Sequence, residues 1–131
     1  MPDDLESDPL IRLGVAANLA SRYAADQRDF LEYLASTLEH ALPGAVEISR
    51  KGGLFGPRRV SALAITLGDH IYRLESGTAV HPTRSRIVRG IKLKTEPLTM
   101  DTWLAEVGAA LEEQARSSQA ARDALEALFG G

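Results

Sequence analysis

Along the first third of the chain, seam positions recur at alternating steps of three and four: Leu10, Leu13, Ala17, Ala20, Ala24, Gln27, Leu31, Leu34 and Leu38. This is the spacing of a helix that buries one stripe along its length. A second strip, Leu19, Tyr23, Phe30 and Tyr33, lies beside it. Asp8-Pro9 supplies a start, because Asp caps a helix and Pro suits its first turn. At roughly 1.5 Å per residue, one unbroken helix over 9–41 would run about 50 Å, longer than a domain of this size. It therefore either projects and finds a partner, or it breaks. If it breaks, the weak Ala-rich centre of the seam and the cap-like Asp26-Gln27-Arg28-Asp29 put the break near residues 25–26. Leu42-Pro43-Gly44 ends the helical pattern.

The period then shortens to two. Val46, Ile48 and Arg50 alternate with Glu47 and Ser49, predicting a strand over 45–51. Gly52-Gly53-Leu54-Phe55-Gly56-Pro57 reads as a loop. Residues 60–67 are apolar on both faces, as in an interior strand. Gly68-Asp69 is a tight hairpin turn into a strand over 70–76, and Ser76-Gly77 turns again. Residues 78–96 supply further extended chain, with Pro82 marking an edge or a bulge. Within 86–95, Gly90 predicts a mid-strand bulge, Ile87, Ile91 and Leu93 a helix-facing side, and Lys92 and Lys94 the opposite side.

Helical spacing returns after residue 98. Thr99 or Asp101 caps a helix with a stripe of Trp103, Leu104, Val107, Leu111 and Ala115, and Trp103 is expected to pack on the sheet face bearing Leu63 and Ile65. Ser117-Ser118 interrupts it and caps a last helix with Ala121, Leu125, Leu128 and Phe129. The expected fold is α+β: an N-terminal helix, long or broken near 25–26, then a four- or five-stranded antiparallel sheet, then two helices packed on one sheet face. The expected organisation is an acidic tail at 1–8, a helical extension at 9–26 and a single domain at 27–129.

Composition refines this picture. The chain has 131 residues and no cysteine, which removes disulfides, thiolate metal sites and a Cys nucleophile. The N-terminus is acidic with no apolar run behind it, and no segment approaches the ~20 apolar residues of a membrane span. The expectation is a soluble cytoplasmic protein without a membrane span. Charge is sharply segregated. Residues 50–94 hold ten basic and two acidic side chains, while the remainder holds five basic and sixteen acidic ones. A basic centre at +8 thus lies between flanks that sum to −11.

Candidate chemistry is sparse. His40, His70 and His81 lie far apart in sequence without carboxylates at ligand spacing, so no metal or other cofactor is expected. Gly53-Leu54-Phe55-Gly56 fits a GXXG string but sits between strands rather than helices. The Glu-rich helix faces have no nucleophile beside them, and no enzyme activity is expected. The candidate binding residues are cations: Arg84, Arg86, Lys92 and Lys94 share parity, and Arg50 and Arg73 on neighbouring strands extend a basic sheet face. Such a face attracts acidic protein or phosphate. Edge-strand protection and internal charge balance are the competing explanations.

The strings Ala41-Leu42-Pro43-Gly44, Gly53-Leu54-Phe55-Gly56 with Arg58-Arg59-Val60, Leu67-Gly68-Asp69, Val88 through Glu96, and Trp103-Leu104 resemble a group of small proteins of high-GC actinobacteria with no assigned activity. The resemblance runs from about Gln27 to Phe129. It implies a variable extension before Gln27 and brings no catalytic residues with it.

The expected function is a non-enzymatic binding or adaptor module that forms a homodimer and uses the basic face to contact an acidic partner. A binder of phosphate-bearing ligands or nucleic acid is the alternative. A small acidic chaperone for another protein is the third reading.

Overall fold

A computed structural model describes residues 27–130. The element order is α1 (Gln27–Ala41), β1 (Val46–Lys51), β2 (Arg59–Leu67), β3 (His70–Glu75), β4 (His81–Val88), β5 (Ile91–Pro97), α2 (Met100–Ala115) and α3 (Gln119–Phe129). The expected tail, the extension at 9–26 and the break near 25–26 lie outside the described residues.

The five strands form an antiparallel meander in the order β1-β2-β3-β4-β5. The α+β architecture therefore stands as expected, with five strands. β2 lies inside the sheet between β1 and β3, and a bulge in its pairing with β1 interrupts its side-chain alternation. Ser49 pairs with Ala62 and Arg50 with Val60, leaving Ser61 over, and both Val60 and Ala62 are buried. Pro82 belongs to an interior strand, not an edge. Its carbonyl accepts from the Leu98 N–H at 3.0 Å, so its donorless nitrogen falls at the end of the β4–β5 ladder, where the loss is small.

The helices cover one face of the sheet. α1 rests on β1 and β2, α2 on β2 and β4, and α3 packs chiefly on α1 and α2. The Thr99 hydroxyl accepts from the Thr102 N–H at 3.3 Å and the Ser118 hydroxyl from the Ala121 N–H at 3.2 Å, so both C-terminal helices start at side-chain caps. The core is Leu34 and Leu38 of α1, Leu63, Ile65 and Leu74 of the sheet, and Trp103, Leu104, Val107 and Leu111 of α2. Trp103 stands edge-on to Tyr72 with ring centroids 6.4 Å apart, and Tyr72 is the cross-strand partner of Ile65. The Trp103 anchor thus lies where the helical stripe placed it. Two side chains tie α1 into the frame: Glu32 Oε2 accepts from the Val60 N–H at 2.7 Å, and Gln27 Oε1 accepts from the Val80 N–H at 3.0 Å.

Candidate functional site

The segment expected to be one strand with a mid-strand glycine is a hairpin. Val88 pairs with Ile91, so Arg89 and Gly90 form the two-residue turn between β4 and β5. Both take left-handed backbone, with φ of 51° and 80°. Positive φ at both centres is what a tight hairpin requires, since it matches the strands' right-handed twist. Glycine adopts it freely and arginine at a cost.

A second irregularity sets the faces. Ser85 pairs with Thr95 but Ile87 pairs with Lys92, so Leu93 and Lys94 together stand opposite Arg86. This bulge reverses the side-chain alternation of β5 relative to β4. The six expected cations consequently do not share one face. Arg84 lies opposite Tyr72, on the helix-covered side, while Arg73 lies opposite Thr83 on the outer side. Lys92 pairs with Ile87 on the outer side, whereas Lys94 approaches Glu96 at 3.7 Å on the helix side. Arg50 sits at the β1 edge, 3.6 Å from Glu39 of α1. Arg86 is exposed on β4.

Several of these charges are already neutralised. Arg73 pairs with Glu75 at 3.0 Å. Arg84 donates from Nη1 to both oxygens of Glu106 at 2.7 and 2.8 Å, and from Nη2 to Glu96 at 3.2 Å. The Glu106 hydrogen bond raises the Arg84 pKa further above its ordinary value. The Tyr72 hydroxyl donates to the same Glu106 at 3.3 Å. Its pKa is pushed up to about 12, first by burial and then by the Glu106 charge. This cluster fastens α2 to β3 and β4, and it withdraws Arg84 from any contact surface. Arg86, Arg89 and Lys92, by contrast, make no salt bridge among the described residues.

The apolar side chains beside them are the residues that sequence reasoning misplaced. Ile91, paired with Val88, and Leu93, opposite Arg86, keep the helix-side parity but are not covered by the helices: they are 63% and 60% exposed, while Ile87, expected beside them, pairs with Lys92 on the outer side. α2 rests on β2 and β4, and β5 extends past its footprint. β5 also pairs with β4 alone, so its outer edge carries backbone N–H and C=O groups with no strand partner among the described residues. Together these features make a strip: an open edge, two exposed aliphatic side chains, and the cations Arg86, Arg89, Lys92 and Lys94 around them. The signal for it was Arg89-Gly90, a residue-plus-glycine pair between two apolar-rich runs.

A separate cleft of about 530 Å³ lies between α1 and α3, lined by Ser36, Thr37, His40 and Asp123 among small side chains. Tyr33 bridges the same two helices by donating to the Ala127 carbonyl at 3.0 Å. Among the described residues no group of three His, Asp or Glu side chains is placed to hold a metal ion, and no helix is long and apolar enough to cross a membrane. No family model, no curated protein and no solved structure matches the chain.

Proposed function

We propose that this protein is a non-enzymatic binding module that receives an extended acidic and apolar segment of a partner protein along the open edge of β5. The observation that carries this reading is the exposure of Ile91 and Leu93 on an edge strand. Edge protection accounts for Lys92 and Lys94, because charged side chains deter strand-to-strand aggregation. It does not account for two exposed aliphatic side chains beside them. An added strand satisfies both: its backbone completes the ladder, its apolar side chains cover Ile91 and Leu93, and its acids meet the cations.

Like charge weighs against a second copy of this chain on the same edge, since two β5 strands would bring lysines together. Self-association through the seam at residues 9–24 is a separate proposal, on a segment outside the described residues. Capture of an exposed strand is also compatible with a small chaperone for one partner.

The test is selection of binders from a displayed peptide library, followed by amide exchange of the complex. Selected peptides should be extended, apolar and acidic. Binding should weaken with salt and should fall at least about tenfold in Ile91→Thr/Leu93→Thr. The β5 amides should gain protection. Selected peptides without acids, or β5 amides that stay unprotected, would reject the reading. Equal binding to nucleic acid of any sequence, lost steeply with salt, would favour the polyanion alternative.

A further inference from the structure

The loop between β1 and β2 is at the other end of the sheet from the β4–β5 turn and on the opposite edge. It carries the two most exposed large apolar side chains among the described residues, Leu54 at 85% and Phe55 at 98%. Its shape is pinned at the neck. Gly52 and Gly53 have φ of 94° and 103°. A Cβ on Gly52 would lie 3.0 Å from the Pro57 carbonyl oxygen, and one on Gly53 would lie 2.5 Å from Cγ of Arg58. The two limbs therefore close on each other where only glycine fits, and Leu54-Phe55-Gly56 stands out beyond them.

The neck is cationic. Lys51 and Arg59 are direct cross-strand partners, an arrangement in which like charges repel. Arg58 adjoins them, and Lys51, Arg58 and Arg59 make no salt bridge among the described residues. No acidic residue occurs between Glu47 and Asp69. The carboxylate of Glu32 reaches the Val60 N–H beside Arg59, but no ion pair among the described residues neutralises these three cations as Glu106 and Glu75 neutralise Arg84 and Arg73.

We propose that this loop docks on an anionic lipid surface, with Leu54 and Phe55 inserted at the headgroup–acyl boundary and Lys51, Arg58 and Arg59 on lipid phosphates. An apolar tip above a cationic collar matches the layering of such a surface, in which apolar groups reach ~5–10 Å deep and cations stay with the phosphates. Single-stranded nucleic acid is a poorer match. Stacking needs aromatic faces, and of the two tip residues only Phe55 has one.

The test places a reporter at the tip. In Phe55→Trp the new indole is exposed, while the native Trp103 is buried and contributes a constant background. With vesicles of phosphatidylglycerol and phosphatidylcholine its emission should shift to the blue and become shielded from quenchers. With phosphatidylcholine alone it should not change. In co-sedimentation, Leu54→Ser/Phe55→Ser should weaken binding about tenfold, and Arg58→Gln/Arg59→Gln about twenty-five-fold, at about fivefold per charge. Ile91→Thr/Leu93→Thr should bind vesicles like the unaltered protein, which separates this site from the β5 edge. Unshifted emission from the Phe55→Trp protein on phosphatidylglycerol vesicles at low salt would overturn the proposal. So would full vesicle binding by Leu54→Ser/Phe55→Ser. An equal blue shift on a single-stranded oligonucleotide would replace lipid with nucleic acid.

Discussion

Tyr72 and Arg84 face each other across β3 and β4, and both donate to one carboxylate, that of Glu106 on α2. The sheet and the helix thus meet through a charged joint at the edge of an otherwise apolar interface. Removing the acceptor leaves a half-buried guanidinium with only Glu96, and a buried phenol without its carboxylate. Glu106→Ala should therefore cost about 1–3 kcal/mol of stability. Glu106→Gln should cost less, because an amide oxygen still accepts. Chemical denaturation of both variants measures the difference.

Tyr72 reports on the same joint. Its folded pKa, about 12, lies above its ordinary value of 10.0. The folded state therefore favours the neutral phenol. That preference contributes fully below the ordinary value and is lost as pH rises from there through the folded one. Ultraviolet titration of the native protein should show a late-ionising tyrosine, and Tyr72→Phe should remove it. Glu106→Gln should bring it back toward the ordinary range, because the raising charge is gone and Arg84 remains.

Trp103 is completely buried against Tyr72 and the Leu63–Ile65 face. Trp103→Ala should cost about 3–5 kcal/mol. Trp103→Phe should cost less, since the buried indole N–H has no hydrogen-bond partner among the described residues and its removal leaves no acceptor stranded. Thermal melts monitored in the far ultraviolet give the order. A tryptophan emission maximum typical of water in the native protein would contradict the burial itself.

Among the described residues, 27–130, eight elements are joined by one apolar core. A chain beginning at Asp26 should therefore melt cooperatively with its sheet signal intact. The seam at residues 9–24 is proposed to hold a homodimer. Light scattering should then give about twice the 14.1 kDa chain mass for the full chain, and the single-chain mass once residues 1–25 are removed.

Much of the architecture is set by local rules that act within a few residues. The period of apolar positions distinguishes the helices α1, α2 and α3 from the strands. Pro43-Gly44 and Gly68-Asp69 act as turns through backbone preferences that need no tertiary partner. Thr99 and Ser118 cap because a hydroxyl reaches the N–H groups of its own first turn. The burial of Trp103 follows from the stripe it belongs to. What the tertiary structure alone decided is the facing of β5. Alternation assigns a side chain to a face only while register holds, and the Arg89-Gly90 turn and the Leu93-Lys94 bulge reset it within six residues. Whether Ile91 and Leu93 are core or surface depends further on how far α2 reaches across the sheet, a distance set by the packing of α2 on β2 and β4. In the same way the charge excess of residues 50–94 is a property of the sequence, but its division is not. Glu106 comes from an acidic flank to neutralise Arg84, while Lys51, Arg58 and Arg59 are left facing water, because only folding determines which carboxylates come within reach of which cations.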